Sequence, residues 1–251
     1  ARFFTKALRD LSIYPATLTE PFSRLLTQGM VLKDGSKMSK SKGNIVNPAE
    51  MIAKYGADTV RLFCLFAAAP ERDFDWSDTG IDGASRFLQR VYRLFLDSEK
   101  DLSPVHAASA TKADATTEML QDLRRKEHQT IKKVTEDLCD KFQFNTAIAA
   151  IMELVNAMYL VREQIKTDAE KTVFSSAMAT VITLLSPITP HLSEELWSTM
   201  GHPQTLVQEP WPSYEEDALQ QATITIAVQV NGKLRSTISV RADIERPALE
   251  E

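Results

Sequence analysis

Three long amphipathic segments in the second half of the sequence constrain the fold most strongly. They cover residues about 114–141, 145–166 and 168–186, and apolar side chains recur in each at the spacing of one helix face. Only short connections separate the segments, so neighbouring helices should run antiparallel and form a bundle. The apolar stripes of the first two are Leu120, Leu123, Ile131, Val134 and Leu138, and Ile148, Ile151, Met152, Val155 and Tyr159.

The first part of the chain has a different pattern. Residues 25–32 form an apolar run that predicts a short buried strand. Asn47 and Pro48 mark the start of a helix, Glu50 completes a capping box, and Gly56 marks the end of that helix. A loop that joins a strand to a helix is the usual place for phosphate chemistry in an α/β layer.

The loop between this strand and this helix concentrates positive charge. Residues 33–44 contain four lysines, two glycines and a single acid, Asp34. Flexible ammonium groups beside serine hydroxyls suit a polyphosphate, and a solvated basic loop is the alternative. Gly35 and Gly43 allow backbone angles that other residues resist. Because the lysines repel one another, we expect nothing to hold residues 33–43 when no phosphate ligand is bound, and the loop to be poorly ordered.

Two further helices and a connection are predicted between the loop and the bundle. Asp58 should cap the first helix, which ends before Pro70. The second helix covers residues about 83–97. Residues 99–117 have no periodicity and are rich in small and polar side chains, which predicts a flexible connection.

Any contact with RNA must come from a local patch, because the chain as a whole is acidic. The formal net charge is −5 at pH 7, which argues against a protein that coats nucleic acid by bulk positive charge. The helix at about 83–97 carries Arg86, Arg90 and Arg93 on one side. These arginines either contact RNA phosphates or form a solvated face of the bundle.

Strand periodicity replaces helical periodicity in the last part of the sequence. Aliphatic residues alternate with polar or small ones over residues 224–230, and Asn231-Gly232 marks a hairpin turn before a second strand. To place the large aliphatic side chains on one face, we predict a three-residue loop with a bulge at Gly232, positive φ there, and Val228 paired with Leu234. A lone hairpin is marginal in water, so a further small domain should begin here.

The sequence shows no pattern of a structural metal, a disulfide framework or a membrane span. Its two cysteines, Cys64 and Cys139, have neither zinc nor disulfide spacing and are expected to be reduced thiols in or near the core. His191 and Glu194 occur at helical spacing, but no further ligand set accompanies them. No apolar stretch is long enough for a bilayer and no signal peptide is evident, which predicts a cytoplasmic protein.

Short motifs along the chain carry a family resemblance. The loop string Lys37-Met38-Ser39-Lys40-Ser41 is similar to the second ATP-binding motif of class I aminoacyl-tRNA synthetases. The other motifs are residues 20–22, 27–31, 55–61, 123–126, 144–148, 186–197 and 228–233. Together they resemble the C-terminal part of bacterial leucyl-tRNA synthetases over nearly the whole chain. The loop string alone would also fit isoleucyl, valyl and methionyl enzymes, and the combination favours the leucyl family.

This resemblance implies a leucine–tRNA ligase, which uses ATP to activate leucine as leucyl-adenylate and then transfers leucine to its tRNA. Lys37 and Lys40 would be the catalytic residues, since they would neutralise charge on the leaving pyrophosphate. Ser39 and Ser41 would donate hydrogen bonds or hold the loop, and Met38 would complete the ATP site. Mg²⁺ would accompany the ATP phosphates, and no protein-bound metal is expected. The expected partners are leucine, ATP and leucine tRNA, with a monomeric protein and no membrane.

Parts of such an enzyme are missing from the sequence. No His-x-Gly-His string is present, so the first half of the active site, the leucine pocket and the editing domain should lie outside the chain. We therefore expect a piece of a longer protein that is inactive alone. The alternative function is a non-catalytic helical module that binds RNA or serves as a scaffold.

The predicted architecture is mainly α and has three parts. Residues 1–57 are expected to be the last part of a Rossmann-like α/β catalytic domain. Residues 58–215 are expected to form an antiparallel helical bundle of the class I anticodon-binding type. Residues 216–251 are expected to begin a small α/β C-terminal domain with the β-hairpin.

Overall fold

The computed structural model describes residues 1–220, 223–230 and 233–241, and helices dominate it. The mainly helical architecture predicted from the sequence is confirmed. The helices are α1 (Arg2–Asp10), α2 (Pro48–Tyr55), α3 (Ala57–Phe66), α4 (Asp78–Ser98), α5 (Glu118–Glu136), α6 (Phe144–Val161), α7 (Asp168–Leu185) and α8 (Pro190–Thr199). The strands are β1 (Val31–Lys33), β2 (Ser36–Lys37), β3 (Phe74–Asp75), β4 (Thr223–Val230) and β5 (Lys233–Arg241).

Helices α5, α6 and α7 form the centre of the predicted bundle, and α3, α4 and α8 pack around them. Contacts of Lys126 with Glu153 and of Asp137 with Thr146 confirm that α5 and α6 are antiparallel. Burying each large aliphatic side chain contributes about 1.5–3 kcal/mol, so this core dominates the stability of the fold. The core face of α6 is fully excluded from solvent at Ala147, Ile148, Ile151, Leu154, Val155 and Met158.

The core position of α6 also accounts for its composition. The expectation that no apolar stretch is long enough for a bilayer is wrong, because the segment Phe144–Gln164 is long and apolar enough to cross one by length and composition. In this fold the helix packs between α5 and α7, and its apolar side chains supply the bundle core. A buried core helix passes the same test of hydropathy as a membrane helix, and here the packing explains the composition.

The small sheet has the order β2-β1-β3, with β1 antiparallel to β2 and parallel to β3. The predicted strand at residues 25–32 is wrong except at its end, since only Val31 and Leu32 belong to β1. The preceding residues are held differently. Gly29 N donates to Pro70 O at 2.7 Å, and a Cβ at Gly29 would lie 2.2 Å from Arg72 O. This close approach of two backbones requires glycine and prevents a regular strand.

The connection between α4 and α5 is irregular, as predicted, but it is not loosely attached. Its backbone N–H groups donate to side chains of α5 and α7, and Ala110 and Ala115 are buried. Each of these hydrogen bonds gives a partner to a backbone N–H group that would otherwise be left unpaired within the protein. The expectation of a flexible connection is therefore contradicted. The bonds are Ser103 N to Ser175 Oγ (3.1 Å), Ala108 N to Glu127 Oε1 (3.1 Å) and Ala110 N to Ser176 Oγ (3.4 Å).

Strands β4 and β5 form the predicted antiparallel hairpin with a different register. Val228 pairs with Ser236, and the predicted pairing with Leu234 is wrong, since Leu234 lies opposite Gln229. An extra residue of β5 produces a bulge inside the ladder. The predicted three-residue loop is also wrong, because Val230 pairs with Lys233 and only two residues connect the strands. The bulge inside the ladder makes the change of register that the longer loop was predicted to make. The backbone of Gly232, for which a positive φ was predicted, lies outside the described residues.

Candidate functional site

The candidate site is the lysine loop, which connects the small sheet to α2. β1 and β2 are joined at Asp34 and Gly35, which have φ values of 56° and 67°. After β2 the chain forms a short 3₁₀ turn at Lys40–Lys42 and leaves it at Gly43, where φ is 68°. The two glycines therefore adopt the left-handed angles that the sequence predicted for them.

Strand β3 supports the loop through its backbone and side chains. Trp76 N donates to Leu32 O at 2.8 Å, which extends the pairing with β1. Asp75 Oδ2 accepts a hydrogen bond from Gly35 N at 2.7 Å, so this carboxylate is already bound to the loop backbone. The ring of Trp76 also meets Phe63 of α3 edge to face, with 4.9 Å between centroids. The loop thus rests on a sheet that is packed against a bundle helix.

Asn44 holds the loop together, and the sequence reasoning missed it. Its Oδ1 accepts a hydrogen bond from Ser39 N at 2.8 Å. Its Nδ2 lies 3.3 Å from Lys33 O and Ser36 Oγ and 3.4 Å from Lys37 O. The expectation that nothing holds this loop is contradicted by these hydrogen bonds. The available signal was an asparagine directly after a turn glycine, since Asn side chains commonly bond backbone groups in turns.

The string that was predicted to bind ATP is presented toward solvent. The hydroxyls of its two serines lie 2.7 Å apart. Within the described residues, every lysine ion pair involves a lysine outside this loop. The structure therefore leaves the loop cations available to an anion. Of residues 37–42, those with exposed side chains are Lys37, Lys40, Ser41 and Lys42, and those that are half-buried are Met38 and Ser39.

Helix α2 follows the loop and begins as predicted. Asn47 Oδ1 accepts a hydrogen bond from Ala49 N at 3.1 Å, so the predicted cap is confirmed. Glu50 differs from the predicted capping box because its carboxylate accepts from the side-chain amide of Asn47 and not from its backbone. Gly56, with φ of 83°, ends the helix.

The next helix fastens this region to the bundle, and the predicted role of Asp58 as its cap is wrong. α3 begins at Ala57, so Asp58 lies inside its first turn. The Asp58 carboxylate accepts a hydrogen bond from Leu192 N at 2.7 Å and faces His191 Nδ1 at 2.8 Å. Asp58 therefore caps α8, whose own N-cap residue supplies no side-chain hydrogen bond.

A second contact from α3 strengthens this junction. The guanidinium of Arg61 donates to Ile188 O and to Pro187 O, each at 2.9 Å. The motif residues 55–61 and 186–197 thus meet in space and connect the helices after the loop to the bundle. The domain boundaries predicted at residues 57 and 215 stay predictions.

The three arginines predicted to bind RNA are exposed on α4. Arg90 is already engaged with α6: its Nη2 donates to Asn156 Oδ1 at 2.9 Å, and its guanidinium lies 5.0 Å from the ring centre of Tyr159. Arg86 and Arg93 make no such contact with α6 among the described residues. The side chain of Arg90 is therefore held against α6, whereas those of Arg86 and Arg93 are not.

The remaining polar candidates have structural roles in the described part of the chain. No group of three or more His, Cys, Asp and Glu side chains is arranged there to hold a metal ion. His191 faces the Asp58 carboxylate. Cys64 and Cys139 are free thiols, and the prediction that they lie in or near the core is wrong because both are exposed. In α3 the two residues directly before Cys64, Leu62 and Phe63, are buried and face the core instead.

Two known families match the two parts of the chain. Residues 121–250 match the anticodon-binding domain of tRNA ligase, and residues 3–77 match tRNA synthetases class I (I, L, M and V). The lysine loop lies within the class I match. Helices α6 to α8 and all but the first three residues of α5 lie within the anticodon-binding match.

Individual relatives match along the whole chain. The leucine--tRNA ligases of Lawsonia intracellularis and of Nitratidesulfovibrio vulgaris (strain DP4) are 57% and 59% identical over 251 residues. The chain spans about 30% of the length of these curated relatives. A crystal structure of the ternary complex of Agrobacterium radiobacter K84 agnB2 LeuRS with tRNA and LeuAMS is 35% identical, with a TM-score of 0.82. That similarity covers 99% of this chain and 31% of the solved one.

These similarities agree with the observed arrangement of elements. The anticodon-binding match covers the central bundle helices apart from the first turn of α5, and the class I match covers the lysine loop and the small sheet. The anticodon-binding match alone covers more than half of the 251 residues. The chain belongs to the tRNA ligase family defined by this anticodon-binding domain, and a class I tRNA synthetase segment precedes that domain.

Proposed function

We propose that this chain forms part of a leucine–tRNA ligase, which activates leucine with ATP as leucyl-adenylate and transfers it to leucine tRNA in the cytoplasm. The observation that carries the proposal is the 57–59% identity to leucine--tRNA ligases along the entire chain. The lysine loop alone does not select leucine, because the matching class I family includes I, L, M and V enzymes. The proposed enzyme acts as a monomer.

The proposed role of the loop is to stabilise charge that develops on the ATP phosphates. The leucine carboxylate attacks the α-phosphorus, the bond to the bridging oxygen breaks, and pyrophosphate leaves with the electron pair. Lys37 and Lys40 have exposed side chains outside the ion pairs of the described chain, so they are available to neutralise that leaving group. Mg²⁺ enters with ATP as the counter-ion of the substrate.

The other residues of the string support this role. Met38, whose side chain is half-buried, completes the proposed ATP site between the two lysines. The hydroxyls of Ser39 and Ser41 bond each other at 2.7 Å, and either can rotate to donate to a phosphate oxygen. Such hydroxyl donors complement the point charges of the lysines. These five residues, Lys37 to Ser41, constitute the proposed ATP site.

The proposed tRNA contact uses the exposed face of α4. The similar Agrobacterium structure is a complex with tRNA, and α4 packs against bundle helices that match an anticodon-binding domain. Arg86, Arg90 and Arg93 are exposed there, so phosphates can approach them. Arg90 is held by Asn156 and Tyr159, which orders its guanidinium before RNA binds.

The activity is tested by ATP–pyrophosphate exchange in a ligase that carries this chain. We expect leucine to support exchange, and isoleucine, valine and methionine to support little at the same concentration. Exchange with one of these three and not with leucine would assign the chain to that enzyme. No exchange with any of them, combined with intact RNA binding, would favour the non-catalytic module.

Charge reversal tests the proposed RNA contact. Arg86→Glu and Arg93→Glu should each weaken tRNA binding and reduce the slope of log affinity against log salt by about one, since each removes a phosphate contact. Filter binding at several salt concentrations measures both quantities. Lys112→Glu, an exposed lysine on the connection, is the control with the same change in charge. Variants indistinguishable from this control would return the arginines to a solvated face.

A further inference from the structure

One side chain determines the shape of the lysine loop. Asn44 lies at the end of the 3₁₀ turn, and its Oδ1 accepts from Ser39 N, which lies at the start of that turn. Its Nδ2 faces the other arm of the loop, at 3.3 Å from Lys33 O and 3.4 Å from Lys37 O. The amide therefore links the start of the turn, its end and the β1–β2 hairpin.

Asparagine suits this position because one amide carries both an acceptor and two donors. The bond from Ser39 N fixes the oxygen on one side, so the nitrogen must face the carbonyl oxygens on the other. Gly43, with φ of 68°, turns the chain directly before Asn44 and brings the amide back over the turn. Asn44 is half-buried, which protects these hydrogen bonds from competition with water.

The lysines themselves lack such restraints. Lys37 and Lys40 take no part in the ion pairs of the described residues, so the backbone alone sets where their side chains begin. That backbone is bonded to Asn44 at Lys37 O and at Ser39 N. A shift of the backbone would displace the ammonium groups from the phosphates, and small displacements of catalytic groups cost much rate.

We infer that Asn44 is a positioning residue for the proposed adenylation step, acting through the backbone that carries Lys37 and Lys40. The inference rests on the proposed function of the loop. Asn44 does not contact the reacting atoms itself. Its loss should therefore lower kcat of ATP–pyrophosphate exchange and leave KM for leucine unchanged.

The test compares Asn44→Ala and the nearly isosteric Asn44→Leu with Asn47→Ala in a ligase that carries this chain. Asn47→Ala is a matched control because it removes an asparagine that caps α2 and makes no bond to the lysine loop. We expect both Asn44 variants to lower kcat by about tenfold or more, as misplaced catalytic groups do. The control should keep a kcat close to that of the unmodified enzyme, even though losing the α2 cap should lower its free energy of unfolding. The Asn44 variants should melt at the temperature of the unmodified enzyme, because their hydrogen bonds lie in the loop and not in the bundle core.

Hydrogen exchange provides a readout that does not depend on activity. The amide of Ser39 should exchange faster in both Asn44 variants, and at the unmodified rate in Asn47→Ala. Normal kcat in the Asn44 variants, alongside a strongly impaired Lys40→Ala, would overturn the inference and leave the proposed function intact. Normal kcat in Lys40→Ala as well would show that the loop is not the phosphate site, and both proposals would fail.

Discussion

Replacing Lys40 with alanine in a leucine–tRNA ligase that carries this chain is expected to slow leucine-dependent ATP–pyrophosphate exchange by about a hundredfold or more. The loss of one positioned charge donor at a developing negative charge typically costs about 3 kcal/mol of transition-state stabilisation. Lys40 is exposed and takes no part in the ion pairs of the described residues, so the substitution breaks no ion pair there. The bundle should melt at the same temperature in the variant and the parent enzyme.

Exchange rates at saturating leucine and ATP measure this effect directly. Lys100→Ala removes an exposed lysine in the 3₁₀ turn that follows α4, and it controls for the loss of one surface charge. We expect this control to retain the parent rate. A Lys40→Ala enzyme with a rate close to that of the control would remove Lys40 from the proposed site.

The bundle could be predicted because long helices repeat the same information at every turn. Ile148, Ile151 and Val155 were placed on the core face of α6 by spacing alone, and each is 0% exposed. The loop string was recognised for a similar reason. Its lysines, serines and flanking glycines lie within a dozen residues, so the motif can be recognised without knowledge of the rest of the fold.

Other features depend on partners that are distant in sequence. Asp58 lies two residues after Gly56 at a helix start, which is why it was predicted to be a cap. Its hydrogen-bond partners lie 133 and 134 residues later, in α8. The connection at residues 99–117 has no periodicity, yet side chains of α5 and α7 hold it. Asn44 bonds backbone atoms up to 11 residues away, which spacing cannot reveal. In each case the role depends on hydrogen bonds to residues that the local sequence pattern does not identify.

Glu127 is a further feature of this kind, and it has a consequence for stability. This residue of α5 is 0% exposed, and its Oε1 accepts hydrogen bonds from Ala108 N, Ser176 Oγ and Thr180 Oγ1. Its Oε2 is buried without a hydrogen-bond partner among the described residues. Burial raises the pKa of Glu127 to about 7, against the opposing effects of these donors and of Arg124.

The raised pKa makes stability depend on pH with a definite sign. The Glu127 carboxyl titrates near 4.5 when unfolded and near 7 when folded, so the folded chain binds more protons between these values. Stability should therefore fall as the pH rises from about 4.5 to about 7. Full ionisation of the Glu127 carboxyl should lower the free energy of unfolding by about 3 kcal/mol. Burial lowers the pKa of His128 below 6.5, so the unfolded chain binds a proton at His128 more readily than the folded chain does. The contribution of His128 to stability therefore rises with pH, opposite to that of Glu127.

Glu127→Gln separates the carboxyl from these other titrating groups. Glutamine retains an oxygen for the same three donors and cannot ionise. We expect the free energy of unfolding in urea to favour the variant, relative to the parent, by about 3 kcal/mol more at about pH 8 than at about pH 4.5. Glu163→Gln, on a side chain 84% exposed, should show no such change. A difference between Glu127→Gln and the parent that stays constant over this range would mean that the buried carboxyl does not titrate within it.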